Sequence, residues 1–459
     1  MEAQRQPMMT TGLKRLKVGL IWSVLVLLLV LGYVTVINPF QLTQLEYQHM
    51  QRPNSGLLKT TDSALTETRM RRLKKHQLSQ AYLARVKLYN ITEMYLENAS
   101  NNKTLWREID VMKQATSKCD PEFTNPCWWE EQVPENTCPY AKRASKKSLK
   151  WMELRRGKTL RCLPYFFIIG QAKCGTTTLF NRIVQHPDVA PHAVKETQWI
   201  GRIRLRPSCS SIDTYLNCLQ TGASFIQSKH RQGEVNPYVI ADATPGYFSL
   251  NDFWDMLPGN EGCTEPCVTN ADVTHHLNPR AKLLLILRNP TTRLYSLYFH
   301  KGRILRRKSL SKHDFHDMVV TEIAKFQNCL TSQSLRGCCY NYSLTNSLTE
   351  ALDIRRGIYH VFLSDWMKLF RRDQIHVIKF EDHVIDEKRH LAEIFKFLNL
   401  RKLSDERLEH IANGKILNTR GHAYGNEDMM DTTRELIDEF YKPYNKKLSI
   451  FMEDEKWNW

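Results

Sequence analysis

An apolar run, Phe166-Phe167-Ile168-Ile169, meets a turn of small residues at Gly170, and a helical pattern through Leu179, Ile183 and Val184 follows. The run is short enough to be a strand buried on both faces. Between strand and helix stand Lys173, Cys174, Gly175, Thr176, Thr177 and Thr178. Such a loop at a helix N-terminus offers backbone N–H groups, a cation and hydroxyls to an anion, which is how phosphate is held. A triphosphate-binding loop reads Gly-x-x-x-x-Gly-Lys followed by Ser or Thr. Gly170 and Gly175 keep that glycine spacing, but Thr176 fills the lysine position and Lys173 precedes the second glycine. The cation therefore meets its anion at a different point, which disfavours ATP or GTP.

Apolar runs and helical patterns alternate beyond this loop. Strands are expected at 165–169, 282–287 and 375–380, with helices from Thr177 and over 291–301, 357–370 and 391–398. That order implies an α/β fold with a mostly parallel sheet flanked by helices, P-loop-like in its first unit. Ligands of such sheets sit beyond the carboxyl ends of the strands, where the 170–177 loop falls. About 300 residues, 161–459, are enough for one sizeable core.

Residues 18–37 carry no charge and are long enough to cross a bilayer core. Arg5, Lys14, Arg15 and Lys17 precede them, and the first basic residue afterwards is Arg52. The positive-inside bias makes 1–17 a cytosolic tail, 18–37 an uncleaved signal anchor and the remainder lumenal, a type II arrangement. Residues 57–120 contain neither glycine nor proline, so 38–118 read as a partly helical stem and 119–160 as a cysteine-rich lead-in. Sequons at Asn90, Asn98, Asn102 and Asn341 suit a lumenal body. So do twelve cysteines, none of them in the tail or anchor. Cys174 in the anion loop is expected to be free. An odd number then remains, so a further thiol is unpaired or bridges two chains, which leaves a homodimer open. For Cys263 and Cys267, near His275 and His276, a disulfide is preferred over zinc.

A net charge of +17 in an oxidising lumen points to polyanionic partners, sulfated or carboxylated glycans or an acidic membrane, and away from nucleic acid. Two basic clusters are candidates to touch substrate. Arg202, Arg204 and Arg206 alternate as if lining one side of an extended segment. Lys301, Arg303, Arg306, Arg307 and Lys308 form the other.

A second motif begins at the end of the 282–287 run, with Arg288-Asn289-Pro290 followed by Ser296 two turns into a helix. A fixed guanidinium and a hydroxyl suit a second phosphate, apart from the one at Lys173. Arg293 is expected to make an internal ion pair. Two phosphate sites on one nucleotide suggest an adenosine bisphosphate.

Together the two motifs resemble the 5′-phosphosulfate and 3′-phosphate segments of sulfotransferases that use 3′-phosphoadenylyl sulfate (PAPS). The single-pass topology resembles that of the Golgi carbohydrate sulfotransferases. Lys195-Glu196-Thr197-Gln198-Trp199 and Phe395-Lys396-Phe397-Leu398-Asn399-Leu400 are most similar to the members acting on N-acetylgalactosamine 4-sulfate. The resemblance covers about residues 160–455. It implies a Golgi membrane enzyme that moves a sulfuryl group to a glycosaminoglycan hydroxyl, position 6 of that sugar in chondroitin or dermatan sulfate, with no obligatory metal. Heparan sulfate or another glycan is the alternative acceptor. A P-loop kinase and an inactive glycan-binding homologue are more distant readings.

By the same resemblance Glu196 is the general base, taking the proton of the attacking hydroxyl. Lys173 neutralises charge on the oxygen released from sulfur. Lys173, Cys174, Gly175, Thr176 and Thr177 hold one end of the donor, and Arg288 and Ser296 hold the other. Thr419, Arg420, Gly421 and His422 resemble a late loop that closes over the nucleotide, though a plain surface loop fits them too. Three departures stand out. Asn289 replaces the usual aspartate after the arginine. Asp242-Ala243-Thr244-Pro245 lacks the lysine of the heparan sulfate 3-O-sulfotransferases. Gln198 stands where those enzymes often have histidine. The last two weigh against a heparan-type site.

Overall fold

The computed structural model describes residues 119–131, 138 and 157–459, apart from residues 193, 207–208, 253, 258, 305–309, 345–351 and 418–427. The expected tail, anchor and stem, with Asn90, Asn98 and Asn102, lie outside the described residues. Among the described residues no helix is long and apolar enough to cross a membrane.

Two short strands, β1 (Cys127–Glu130) and β2 (Thr159–Cys162), pair antiparallel and are bridged by a Cys127–Cys162 disulfide. The main sheet has four strands: β3 (Phe166–Gly170), β4 (Ala241–Asp242), β5 (Lys282–Leu287) and β6 (Ile375–Lys379). Their order is β4-β3-β5-β6, and every pair is parallel. The expected strand limits are met to within a residue.

Alternation along the strands divides the core in two. Phe167, Ile169, Leu283, Leu285 and Leu287 face one cluster; Phe166, Ile168, Leu284, Ile286 and Ile378 face the other. Successive side chains on a strand point to opposite faces, so apolar residues at every position require cover on both sides. Helices supply that cover. The second cluster is closed by α1 (Thr176–Ile183) through Leu179, Phe180 and Ile183. The first is closed by α2 (Ile212–Ser228) through Tyr215 and Leu219, and by α3 (Asn270–Leu277) through Val273. Thr269 and Asp272 form a capping box that starts α3.

The first cluster is completed by α4 (Pro290–Ile304) and, after α5 (Lys312–Leu330) and α6 (Leu335–Tyr340), by α7 (Tyr359–Leu369). Beyond β6 come α8 (Phe380–Ile385), α9 (Glu387–Phe397), α10 (Asp405–Ala412) and α11 (Asp431–Met452). Leu391, Ile394 and Phe395 of α9 return to the second cluster. Because all four strands run the same way, the segments after Gly170, Asp242, Leu287 and Lys379 emerge along one edge of the sheet.

Candidate active site

The loop after β3 is held from below. Gln171 is buried; its Nε2 donates to Ser249 Oγ at 2.7 Å and to the Arg356 carbonyl at 3.1 Å, and its Oε1 accepts from the Ala172 N–H at 2.7 Å. The Gln171 N–H donates to the Ile286 carbonyl, tying the loop to β5. Lys173 and Gly175 both take left-handed backbone conformations, with φ of 73° and 83°. That combination suits a loop that turns backbone N–H groups toward a ligand, and it requires a surrounding structure to hold it. Cys174 is free and fully buried, and burial pushes its thiol up to about 12 despite Arg293 and Arg288 nearby. Its role is to pack the loop down. Thr176 is buried in the first turn of α1, while Thr177 is half-buried.

Arg288 leaves the end of β5 on the neighbouring strand. Its Nε donates to Thr292 Oγ1 at 2.9 Å, and its carbonyl accepts from the Tyr359 hydroxyl at 2.8 Å. Thr292 and Ser296 are four residues apart on α4, hence on one helix face, so the half-buried Ser296 hydroxyl lies a turn beyond the Arg288 brace. Asn289 caps α4: its Oδ1 accepts from the N–H groups of Thr291 and Thr292, leaving Arg288 to project from a rigid corner. The aspartate-to-asparagine departure therefore keeps the capping function.

The two motifs meet on one aromatic ring. The Arg288 guanidinium carbon lies 4.9 Å from the centroid of Phe380, the residue after β6. A Cβ at Gly175 would come within 2.8 Å of the same ring, so the anion loop packs against its edge. Loop and arginine thus border one place at the carboxyl edge of the sheet. A ligand with two phosphates would find an α-helix N-terminus for one and a fixed guanidinium for the other, and the residues present fit a bisphosphonucleotide.

A model of the sulfotransferase domain matches residues 163–420. Mouse and human carbohydrate sulfotransferase 15 are each 32% identical to this chain, over 388 and 387 residues, which cover 77% of it and 68% of each relative. The chain belongs to the sulfotransferase family, among the carbohydrate sulfotransferases. Its donor is therefore PAPS. The crystal structure of a sulfotransferase from Alicyclobacillus acidocaldarius aligns with 64% of this chain and 98% of its own, at 20% identity and a TM-score of 0.42.

The sulfotransferase carries Glu196 on a loop that runs beside the end of β4, where the Ala243 N–H donates to the Lys195 carbonyl. Lys195 Nζ lies 2.6 Å from Glu196 Oε1, and Gln198 Nε2 lies 3.4 Å from Oε2. The carboxylate is thus held by its immediate neighbours, yet its side chain keeps 39% of its exposure, enough for a substrate hydroxyl to reach it.

Thr419, Arg420, Gly421 and His422 lie outside the described residues. The chain entering that segment is anchored to α1: the Leu417 N–H donates to Thr178 Oγ1 at 3.1 Å, and Arg182 Nη2 donates to the Gly414 carbonyl at 2.5 Å. Sequence reasoning placed Gln171 and Thr178 in the anion loop without their anchoring contacts, and it did not single out Thr292 or Phe380. The four-residue steps from Arg288 to Thr292 to Ser296 were the one signal that would have found Thr292.

Arg293 has an internal setting: its guanidinium is fully buried, within reach of the charge of Asp353 and close to the Tyr359 and Tyr441 hydroxyls and the Cys174 thiol, so it acts inside the core under the anion loop. One expectation is corrected. Arg202, Arg204 and Arg206 do not line one side of an extended segment, because residues 203–205 form a 3-10 turn. That turn buries Arg204, whose Nε donates to the Ile200 carbonyl at 2.6 Å, and burial pushes its pKa down to about 10. In the second basic cluster Lys301 is half-buried, with its pKa lowered first by burial and then, against the pull of Asp353, by Arg356. The side chains of Arg303, Arg306, Arg307 and Lys308 lie outside the described residues.

The expectations for Cys263, Cys267 and Cys174 hold. Cys263 and Cys267 form a disulfide, which removes both thiolates from any zinc set. Cys174 is free as expected, and Cys119, Cys218 and Cys339 join it. Ala243 is fully buried, a place that cannot accept a charged lysine unchanged. Asn341 ends α6 half-buried, its Oδ1 accepting from the Ser343 N–H and hydroxyl.

Proposed function

We propose that this sulfotransferase acts on a glycosaminoglycan, at the 6-hydroxyl of N-acetylgalactosamine 4-sulfate in chondroitin or dermatan sulfate. The observation that carries the donor half of the reading is the Phe380 ring, against which both the Gly175 loop and Arg288 rest. Phosphate groups at the two ends of one nucleotide then face neighbouring residues of one sheet edge rather than two separate surfaces. The acceptor half is supported by the two carbohydrate sulfotransferase 15 relatives and by the surplus of basic residues.

In this reading the reaction is a direct in-line displacement. The sugar oxygen forms a bond to sulfur as the bond from sulfur to the bridging phosphate oxygen breaks. Glu196 takes the hydroxyl proton, so the nucleophile gains charge only as it attacks. Lys173 meets the negative charge left on the departing phosphate oxygen, and the loop N–H groups share it. Thr176 and Thr177 orient that phosphate from the helix N-terminus, while Arg288 and Ser296 hold the 3′-phosphate. Thr419, Arg420, Gly421 and His422 complete the nucleotide side, a role supported by the anchoring of Leu417 on Thr178.

The setting is a Golgi membrane with the catalytic body in the lumen, anchored as a type II protein by residues 18–37. Four disulfides among the described residues favour such an oxidising compartment.

Sulfate transfer from labelled PAPS to chondroitin, dermatan and heparan acceptors, followed by disaccharide analysis, tests the reading. Labelled 4,6-disulfated N-acetylgalactosamine is the expected product. Label confined to heparan, or to position 4, overturns the acceptor assignment. Lys173→Ala and Glu196→Gln should each lower kcat by about 100-fold or more. Glu196→Gln should still bind adenosine 3′,5′-bisphosphate normally.

A further inference from the structure

The loop that carries Glu196 hangs on a buried carboxylate that the chemistry above does not use. Asp242, at the end of β4, is 1% exposed, and its two oxygens accept from hydroxyls on three other segments. Thr197 Oγ1 lies 2.7 Å from Oδ2, Tyr215 OH 2.9 Å and Tyr247 OH 3.1 Å, while Thr244 Oγ1 lies 2.6 Å from Oδ1. The same hydroxyls then hold the loop backbone. Thr244 Oγ1 accepts from the Gln198 N–H, Thr197 Oγ1 from the Trp199 N–H, and the Tyr247 oxygen from the Ile200 N–H. Thr197 Oγ1 and Tyr247 OH are 2.8 Å apart, closing the cluster.

Local geometry turns this cluster into a pointing device. Thr197 is fully buried, with its hydroxyl on Asp242, while its neighbours Glu196 and Gln198 are only half-buried and Gln198 Nε2 reaches back to the Glu196 carboxylate. Gln198 takes a left-handed conformation, φ 51°, so the chain turns directly after Thr197 and leaves the pinned threonine beside the base. A core required only to be stable would place apolar side chains here, since a buried carboxylate and its donors add little net stability. They do add a unique register for the residue next door.

Resting on the assignment of Glu196 as base, we propose that Asp242 is its positioning residue: through Thr197 and Tyr247 it sets the loop register that aims the Glu196 carboxylate at the acceptor hydroxyl. Asp242 touches neither substrate, and donor binding does not depend on it. The Asp-Ala-Thr-Pro segment thereby has a use that does not require the absent lysine.

A double-mutant cycle tests this with Thr197→Val, Thr197→Ser and Glu196→Gln. Thr197→Val should lower kcat at least tenfold with the Kd for adenosine 3′,5′-bisphosphate within twofold of the parent, and Thr197→Ser should restore most of it. In the Glu196→Gln background Thr197→Val should bring no further loss, because the group it aims is gone. Tyr247→Phe, which removes a hydroxyl without volume, should behave as Thr197→Val and decides the matter if that variant does not fold. A multiplicative loss in the double variant, or a parallel loss of nucleotide affinity, overturns the positioning role and leaves general loosening. If Glu196→Gln alone keeps full activity, the base assignment fails instead, which is a separate outcome.

Discussion

The backbone N–H of Leu417 donates to Thr178 Oγ1 at 3.1 Å, so the chain that leads into residues 418–427 starts from the first turn of the anion-loop helix. Thr178→Val keeps the shape and removes the acceptor. The variant should fold with unchanged melting temperature and bind adenosine 3′,5′-bisphosphate about 3- to 10-fold more weakly, as a lost hydrogen bond of ordinary strength predicts. Calorimetric titration measures it. Unchanged affinity would show that this anchor has no part in closing over the nucleotide.

Gly175 holds φ at 83° with the Phe380 ring against its α-carbon. Gly175→Ala meets both obstacles, a strained backbone and a Cβ placed 2.8 Å from the ring. Nucleotide affinity should fall by more than tenfold, with a stability loss of about 1–3 kcal/mol. Adding Phe380→Leu should relieve the contact and recover stability only in part, because the dihedral penalty stays. Full recovery in the double variant would mean that only crowding mattered.

His376 and His383 are both driven down to about 4, in each case first by burial, with His390 adding to it. The folded protein keeps them neutral, whereas the unfolded chain protonates them near 6.5. Their stabilising contribution is therefore complete above about pH 6.5 and is lost as the pH falls toward 4. For the buried His383 the loss at pH 5 is about 2 kcal/mol. Melting temperatures at pH 7 and pH 5 should differ by several degrees, and His383→Gln should reduce that difference. An identical difference in the variant would place the sensitivity elsewhere.

The Cys127–Cys162 disulfide closes 35 residues of chain and staples β1 to β2. Replacing both cysteines by serine should lower stability by about 3–4 kcal/mol on the loop-entropy relation. Equilibrium urea unfolding gives the number directly. Activity at a temperature well below the transition should be kept, since neither residue lies at the carboxyl edge of the sheet.

Much of this architecture could be read ahead of the coordinates, for a physical reason. A central parallel strand is buried on both faces, so Lys282–Leu287 shows as an unbroken apolar run whose ends are sharp. The anion loop was equally legible because its chemistry is local to a few consecutive residues. What stayed hidden depends on contacts between distant segments. Nothing in the sequence near Asp242 indicates that Thr197, Tyr215 and Tyr247 converge on it. Alternating arginines looked like one face of an extended segment, and the 3-10 turn at Ile203–Leu205 changed the period and buried the middle one. Phe380 gave no sign of its place because an aromatic residue after a strand is ordinary core material.

Cys174 sits within the donor loop of a protein with four disulfides among its described residues, yet its thiol is wholly covered and carries almost no thiolate at neutral pH. Exchange with a neighbouring disulfide needs an exposed, ionised sulfur, and this one is neither. The loop can therefore keep a cysteine at its tightest point without risk of scrambling in the folded protein. It becomes reactive only when the sheet edge opens, so labelling of that sulfur would time the unravelling of the nucleotide grip itself.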